Sequence, residues 1–269
     1  MNEAMVTNAP ARARAAGAPM PAASFWWPVA TLWQRDLVRF WREKARVLGY
    51  VGSPLLFWVL IGSGFGNLAY FFPGALVLTV MFSAVFSTMS LIEDRREGFL
   101  LSMLVSPAPR SSVVLGKILG SSTLAWIQGM VFLCFLPMTG LAPGAAGVLE
   151  AAGVIFLISF MFTVFGFLAA WQMDSTQGFH AIMNLVLLPA WLVSGSLFSM
   201  ANAHGWVRWL MRLNPVTYTV AALRQALERH AAAGVPSLSI SVIVTGACAL
   251  ALFIASAIAA SKRTVRSFA

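Results

Sequence analysis

The chain has 269 residues, of which 59% are apolar and 10% charged, whereas an ordinary soluble domain carries about a quarter charged residues. With a mean hydropathy of +0.80, this composition excludes a soluble globular protein and describes an integral membrane protein with short polar connections. A net charge of +9 would suit a nucleic-acid binder, but the 18 Lys and Arg are bunched: seven before Val47, four from Glu93 to Lys117, four from Arg208 to Arg229 and three after Ser261. Bunching of this kind marks loops that flank membrane helices, so no nucleic-acid partner is expected.

Residues 1–24 hold small residues, Pro and Arg without the apolar core of a signal peptide, and are expected to form a disordered cytoplasmic tail. The rest, 25–269, reads as one all-α membrane domain. Its first element, over 25–46, is an amphipathic interfacial helix. Val29, Trp33, Leu37, Phe40 and Trp41 fall on one face and Arg35, Arg39, Arg42 and Arg46 on the other, which predicts aromatic rings in lipid and basic side chains toward anionic headgroups.

A spanning helix needs about 20 mainly apolar residues. Charge-free or nearly charge-free runs predict six spans, near 47–65, 72–92, 112–137, 148–172, 178–200 and 237–260. Six spans put both termini on one side. That side then holds fourteen of the Lys and Arg and the other holds four, so the termini and the 93–110 connection are expected in the cytoplasm, in a plasma (inner) membrane of bacterial type.

Between spans five and six, over 201–235, an outer re-entrant hairpin is expected. Trp206 and Trp209 share an apolar face with Leu210 and Leu213, and Asn214-Pro215 breaks the helix because proline disfavours helical geometry in the residue before it. In the last span Ala247, Ala251, Ala255 and Ala259 recur every four residues, a spacing that lets another helix approach closely; Gly116 and Gly120 do the same in span three. The aromatic residues of the first two spans, Phe57, Trp58, Phe65, Tyr70, Phe71, Phe72, Phe82 and Phe86, are expected to pack against lipid or neighbouring helices rather than line a route.

Coupled ion carriers keep ionisable residues inside their spans. Here Lys117, Asp174 and His180 come near, all at predicted span ends. Lys117 is expected to snorkel to the surface, and Asp174 and His180 to anchor the 173–178 turn. The histidines are scattered, no HExxH or GxSxG occurs, and Cys134 and Cys248 sit in apolar runs as inert thiols. No catalytic, metal or cofactor site is expected on this chain. Nor is there a phosphate loop: in "VLGKILG" Ser111 stands where the first Gly belongs and Ile118 replaces the Ser or Thr.

The stretch "EDRREGFLLSMLVSPAPR", residues 93–110, interrupts this apolar sequence with five consecutive charges, Glu93, Asp94, Arg95, Arg96 and Glu97, then Gly98, an apolar turn from Phe99 through Leu100, Met103 and Leu104 to Val105, and a stop at Pro107 and Pro109. Acidic residues favour a helix start, and the apolar residues would cover nearly the whole circumference of that helix. One side can press on the protein's own spans, which leaves the other and the charges for a partner protein.

These residues resemble the cytoplasmic signature of type-2 ATP-binding-cassette (ABC) transporter permeases: Asp94, Arg95, Gly98, Leu100, Leu104, Pro107, Arg110, Gly116 and Lys117 stand in its pattern, with Arg96 where the family often has Glu. The resemblance extends to the basic amphipathic helix, the six spans and the outer hairpin "LNPVTYTVAALRQAL". It implies an exporter subunit whose residues 93–106 form a coupling helix seated, with the amphipathic helix, in a cleft of a separate ABC ATPase. ATP and Mg²⁺ would be bound on that ATPase. A second copy or a homologous permease would complete the path. An ion-coupled secondary transporter and a non-transporting membrane scaffold are the alternatives.

Overall fold

The computed structural model describes residues 25–42, 44–99, 103, 109–228 and 235–262. Among these residues every regular element is helical: α1 (Trp26–Arg42), α2 (Lys44–Gly64), α3 (Leu68–Ser87), α4 (Ser90–Arg96), α5 (Arg110–Leu133), α6 (Gly144–Gln172), α7 (Thr176–Leu192), α8 (Gly205–Leu213), α9 (Pro215–Glu228) and α10 (Leu238–Lys262). A helix stands at each place where a span was expected. The stretches Leu68–Arg96, Gly144–Gln172 and Leu238–Ala260 are long and apolar enough to cross a membrane, and Val51–Gly64 is a shorter apolar helix.

The centre of the bundle is α3, which packs against α2, α5, α6 and, less extensively, α7 and α9. Fifteen of its residues are buried, because its sequence offers no polar face to turn outward. Trp58 of α2, Phe72 of α3 and Phe132 of α5 meet at centroid distances of 5.2–6.0 Å, and Phe57 packs edge-on against Trp191 of α7. Most of the aromatic residues of the first two spans thus build the core; Phe65 is exposed.

Close helix approach depends on particular glycines. A Cβ on Gly129 of α5 would lie 2.6 Å from Ile155 and 2.7 Å from Val80, and one on Gly166 of α6 would lie 2.8 Å from Thr88 Oγ1 and 2.9 Å from the Val85 backbone. The alanine stripe of the last span behaves differently from expectation. Ala247 and Ala251 are exposed, and α10 meets α6 and α9 through Ser241, Thr245, Ala249, Ser256 and Ala260, all buried. The packing face lies where small hydroxyl residues can return their hydrogen bonds to the helix backbone, as Thr245 does to Ser241 O at 2.7 Å and Ser256 to Leu252 O at 2.9 Å.

The two ends of the bundle differ in chemistry. One end gathers α1, α4 and the turn after α6, with most of the ion pairs. At the other, neutral contacts dominate: Trp191 Nε1 donates to Gly74 O at 2.8 Å and Asn214 Nδ2 to Ala190 O at 2.5 Å, while buried Arg224 of α9 donates to Tyr70 O at 3.0 Å and stacks over the Tyr70 ring.

Two outcomes follow. Gly166→Ala is expected to destabilise the purified protein by about 1–3 kcal/mol, since the Val85 backbone cannot yield; Gly153→Ala, where a Cβ meets nothing within 4 Å, leaves the melting temperature in detergent unchanged. Trp191→Phe removes the indole hydrogen bond to Gly74 O, a carbonyl that keeps its helical partner, and should cost about 0.5–1.5 kcal/mol in the same measurement.

Candidate functional site

The charged stretch begins inside a helix rather than opening one. The turn at Thr88 and Met89 keeps hydrogen bonds running from α3 into α4, with Leu91 N donating to Thr88 O at 2.9 Å and Glu93 N to Met89 O at 3.2 Å. Helix α4 therefore starts at Ser90, three residues before Glu93, and ends at Arg96; Gly98 follows at φ +75°, a left-handed conformation that glycine adopts without a Cβ penalty. Where a helix starting at Glu93 was expected, the structure has a helical extension of α3 that carries Glu93, Asp94, Arg95 and Arg96 and stops at Glu97 and Gly98. Leu100, Leu104 and Pro107 lie outside the described residues, and Met103 is buried.

Asp94 is the centre of the site. Its carboxylate is 0% exposed and receives Arg35 Nη2 at 2.8 Å and Nη1 at 3.2 Å, Lys117 Nζ at 2.5 Å, and Arg39 Nη1 at 3.6 Å. Glu93 binds Arg39 Nη2 at 2.7 Å. Three helices thus contribute: α1 brings Arg35 and Arg39, α4 the acids, α5 the lysine. The same α4 turns its other side to the connection after α6. Arg95 donates to Asp174 Oδ1 at 2.8 Å, Trp171 O at 2.9 Å and Met173 O at 3.0 Å, and Arg96 Nε to Asp174 O at 3.0 Å. Asp174 anchors the 173–178 turn as expected, and its partners are now identified; His180 lies against the Phe86 ring at 4.3 Å.

Helix α1 shows a different face from the expected one. Val29, Leu32, Asp36 and Phe40 are buried against α5, where Gly116 and Gly120 admit them: a Cβ on Gly116 would sit 3.1 Å from Leu32 Cβ, and one on Gly120 3.2 Å from Asp36 Cβ. Trp33 is at the edge, partly exposed, with Nε1 donating to Thr123 Oγ1 at 3.1 Å. Trp26 and Trp27 are exposed. Of the expected basic face, Arg35 and Arg39 turn to Asp94 and Glu93 instead of to headgroups. The side chains of Trp41 and Arg42 lie outside the described residues.

Lys117 does not snorkel. It is 3% exposed and holds Asp36 Oδ1 at 3.0 Å as well as Asp94. Asp36, 5% exposed, keeps Oδ2 without a hydrogen-bond partner beside a cleft of about 30 Å³ lined also by Arg39, Ser87, Ser90 and Ser121. Burial, opposed by Lys117, pushes the Asp36 carboxyl above the usual carboxylate range. Neither Asp36 nor the pairing of Lys117 was singled out from sequence. The available signal was a lone cation in a long apolar run and a lone acid in a basic helix, each of which needs a partner if buried.

At the tip of this assembly Arg96, Glu97 and Gly98 are exposed, and the Phe99 ring lies 3.8 Å from the Arg35 guanidinium. In the distant hairpin, Trp206 and Trp209 are exposed on α8. Arg208 braces the preceding turn through Met200, Ala201 and Ala203 carbonyls. Asn214 Oδ1 accepts from Val216 N at 3.0 Å and Pro215 opens α9, a position where its missing N–H is harmless. The hairpin and the charged junction lie at opposite ends of the bundle.

Comparison with known proteins adds an independent finding. The family model described as ABC-2 type transporter matches residues 28–227, which include α1, α4 and α9. The chain is 27% identical over 205 residues to the "Putative transport permease ycf38" of Cyanophora paradoxa, covering 71% of each. It is 25% identical to the daunorubicin resistance ABC transporter permease protein DrrB1 of Streptomyces coeruleorubidus over 76% of this chain and 75% of that one. It is 23% identical to nodulation protein J of Rhizobium leguminosarum bv. trifolii over 78% of this chain and 84% of that one. With three helices among the described residues fit to cross a membrane and a family match over most of its length, the chain belongs to the ABC-2 type transporter family of membrane permeases.

Proposed function

We propose that the chain is the permease subunit of an ABC exporter, crossing the membrane six times with both termini in the cytoplasm and forming the path as a dimer of permeases. ATP would be hydrolysed with Mg²⁺ on a separate nucleotide-binding subunit that grips the α1–α4 end. The carrying observation is the asymmetry of that end: the buried charges of α1, α4 and α5 satisfy one another, while Arg96, Glu97 and Gly98 remain exposed at the tip beside Phe99 and Arg35. A force applied to this tip passes into α3, continuous with α4, and through Arg95 into the turn between α6 and α7. Fourteen Lys and Arg on the α1–α4 side against four on the other support a cytoplasmic place for it. The relative named for daunorubicin resistance supports outward transport, since removal of a toxic compound confers resistance.

In co-purification with a nucleotide-binding subunit, Glu97→Ala/Phe99→Ala is expected to abolish complex formation or transport-stimulated ATP hydrolysis while membrane insertion is retained. An unchanged complex with unchanged hydrolysis would remove this tip from the mechanism, and transport that follows an ion gradient after ATP depletion would replace the proposal with a secondary carrier.

A further inference from the structure

Helix α1 lies at the margin of the bundle, and its main neighbour is α5. Its contacts with α5 are few in kind: an apolar row, two glycine crossings, the Trp33–Thr123 hydrogen bond and one buried charge pair. Two residues carry that pair and reach no surface, Asp36 on α1 and Lys117 on α5. Lys117 also reaches Asp94 of α4, so one ammonium ties together the carboxylates of two different helices. Around it the charges balance: Asp36, Glu93 and Asp94 against Arg35, Arg39 and Lys117.

We propose that Asp36, Lys117 and Asp94 form a clasp that docks α1 on α5 in register with α4, making Asp36 and Lys117 positioning residues for Arg35 and Phe99 at the exposed tip. This deepens the coupling reading and rests on it for its consequence, but the clasp itself is a property of the permease alone. Lys117 is an ammonium with three donors on a flexible stem, which suits it to bridge two carboxylates from different helices. Losing either Asp36 or Lys117 leaves the buried cluster with one uncompensated charge, whereas removing both restores balance. The clasp therefore predicts a pattern that loss of packing alone does not give: each single neutralisation loosens α1, and the double neutralisation tightens it again.

The pH response separates the two further. In Lys117→Met the charged groups near Asp36 are Arg35 and Arg39 on α1 and Asp94 on α4, and α3, α4 and α5 add the Ser87, Ser90 and Ser121 hydroxyls. Burial already favours the protonated Asp36 carboxyl, and loss of Lys117 removes the principal group opposing this. A carboxyl whose proton is held more tightly in the docked than in the undocked state favours docking as pH falls through its raised value and disfavours it as pH rises. Acidification should therefore re-dock α1 in Lys117→Met and leave the double variant unmoved.

The test is amide hydrogen exchange over residues 26–42 in the full-length permease in phospholipid nanodiscs. Lys117→Met and Asp36→Asn are each expected to raise exchange there about tenfold or more, with residues 144–172 unchanged. Asp36→Asn/Lys117→Met should return to within about twofold of the parent. Singles that exchange like the parent, a double variant as loose as the worse single, or an acceleration spread equally over 144–172 would overturn the clasp. The same variants assayed for coupled ATP hydrolysis with the nucleotide-binding subunit keep the two ideas apart: a loosened α1 with full coupling supports the clasp and sinks the coupling reading.

Discussion

A carboxylate with no exposure, such as Asp94, is tenable only where cations come to it, because an isolated buried charge costs several kcal/mol. That constraint organises one whole end of the molecule. Two of the cations, Arg35 and Arg39, belong to α1, which must lie across the bundle to deliver them. Another, Lys117, belongs to α5 and has a second carboxylate, Asp36, to satisfy. The glycines at 116 and 120 are where they are because α1 can reach this position only if α5 presents no side chain at the crossing.

The opposite end is held by a different chemistry. There indole, amide and guanidinium donors find backbone carbonyls at helix ends, as in Trp191 to Gly74, Asn214 to Ala190 and Arg224 to Tyr70. Such contacts fix loop geometry without drawing several helices to one charge. Between the ends the helices meet through aromatic rings and glycine crossings, and α3 is the common neighbour. Hydrogen bonds through the turn at Thr88 and Met89 join α4 directly to this central helix. The charged end is neutralised by its own ion pairs inside, exposed at Arg96, Glu97 and Gly98, and continuous with the core.

Much of this architecture was legible in the residue order. Spans follow from uninterrupted apolar runs, as α3, α6 and α10 illustrate. Asn214-Pro215 foretold the break between α8 and α9 because proline restricts the backbone locally. That the charges of Glu93–Glu97 need partners was legible because five adjacent charges in a chain of this composition demand a reason. The register of that stretch was not. Acidic residues suggested a helix start at Glu93, whereas the continuing hydrogen bonds from α3 placed the start at Ser90 and left Gly98 as the stop.

The sequence by itself determined the all-helical membrane character, the positions of the apolar helices and the family, because these depend on local composition, periodicity and motif. Only the tertiary structure decided that Lys117 turns inward rather than to the surface, that Asp36 is buried, that α1 shows α5 the face of Val29, Leu32, Asp36 and Phe40, and that the Ala247–Ala251 stripe points away from its neighbours. Each depends on which helix lies opposite. Charge pairing across about 60–80 positions of chain, as between Arg35 and Asp94 or Asp36 and Lys117, leaves no trace in the spacing of a single segment.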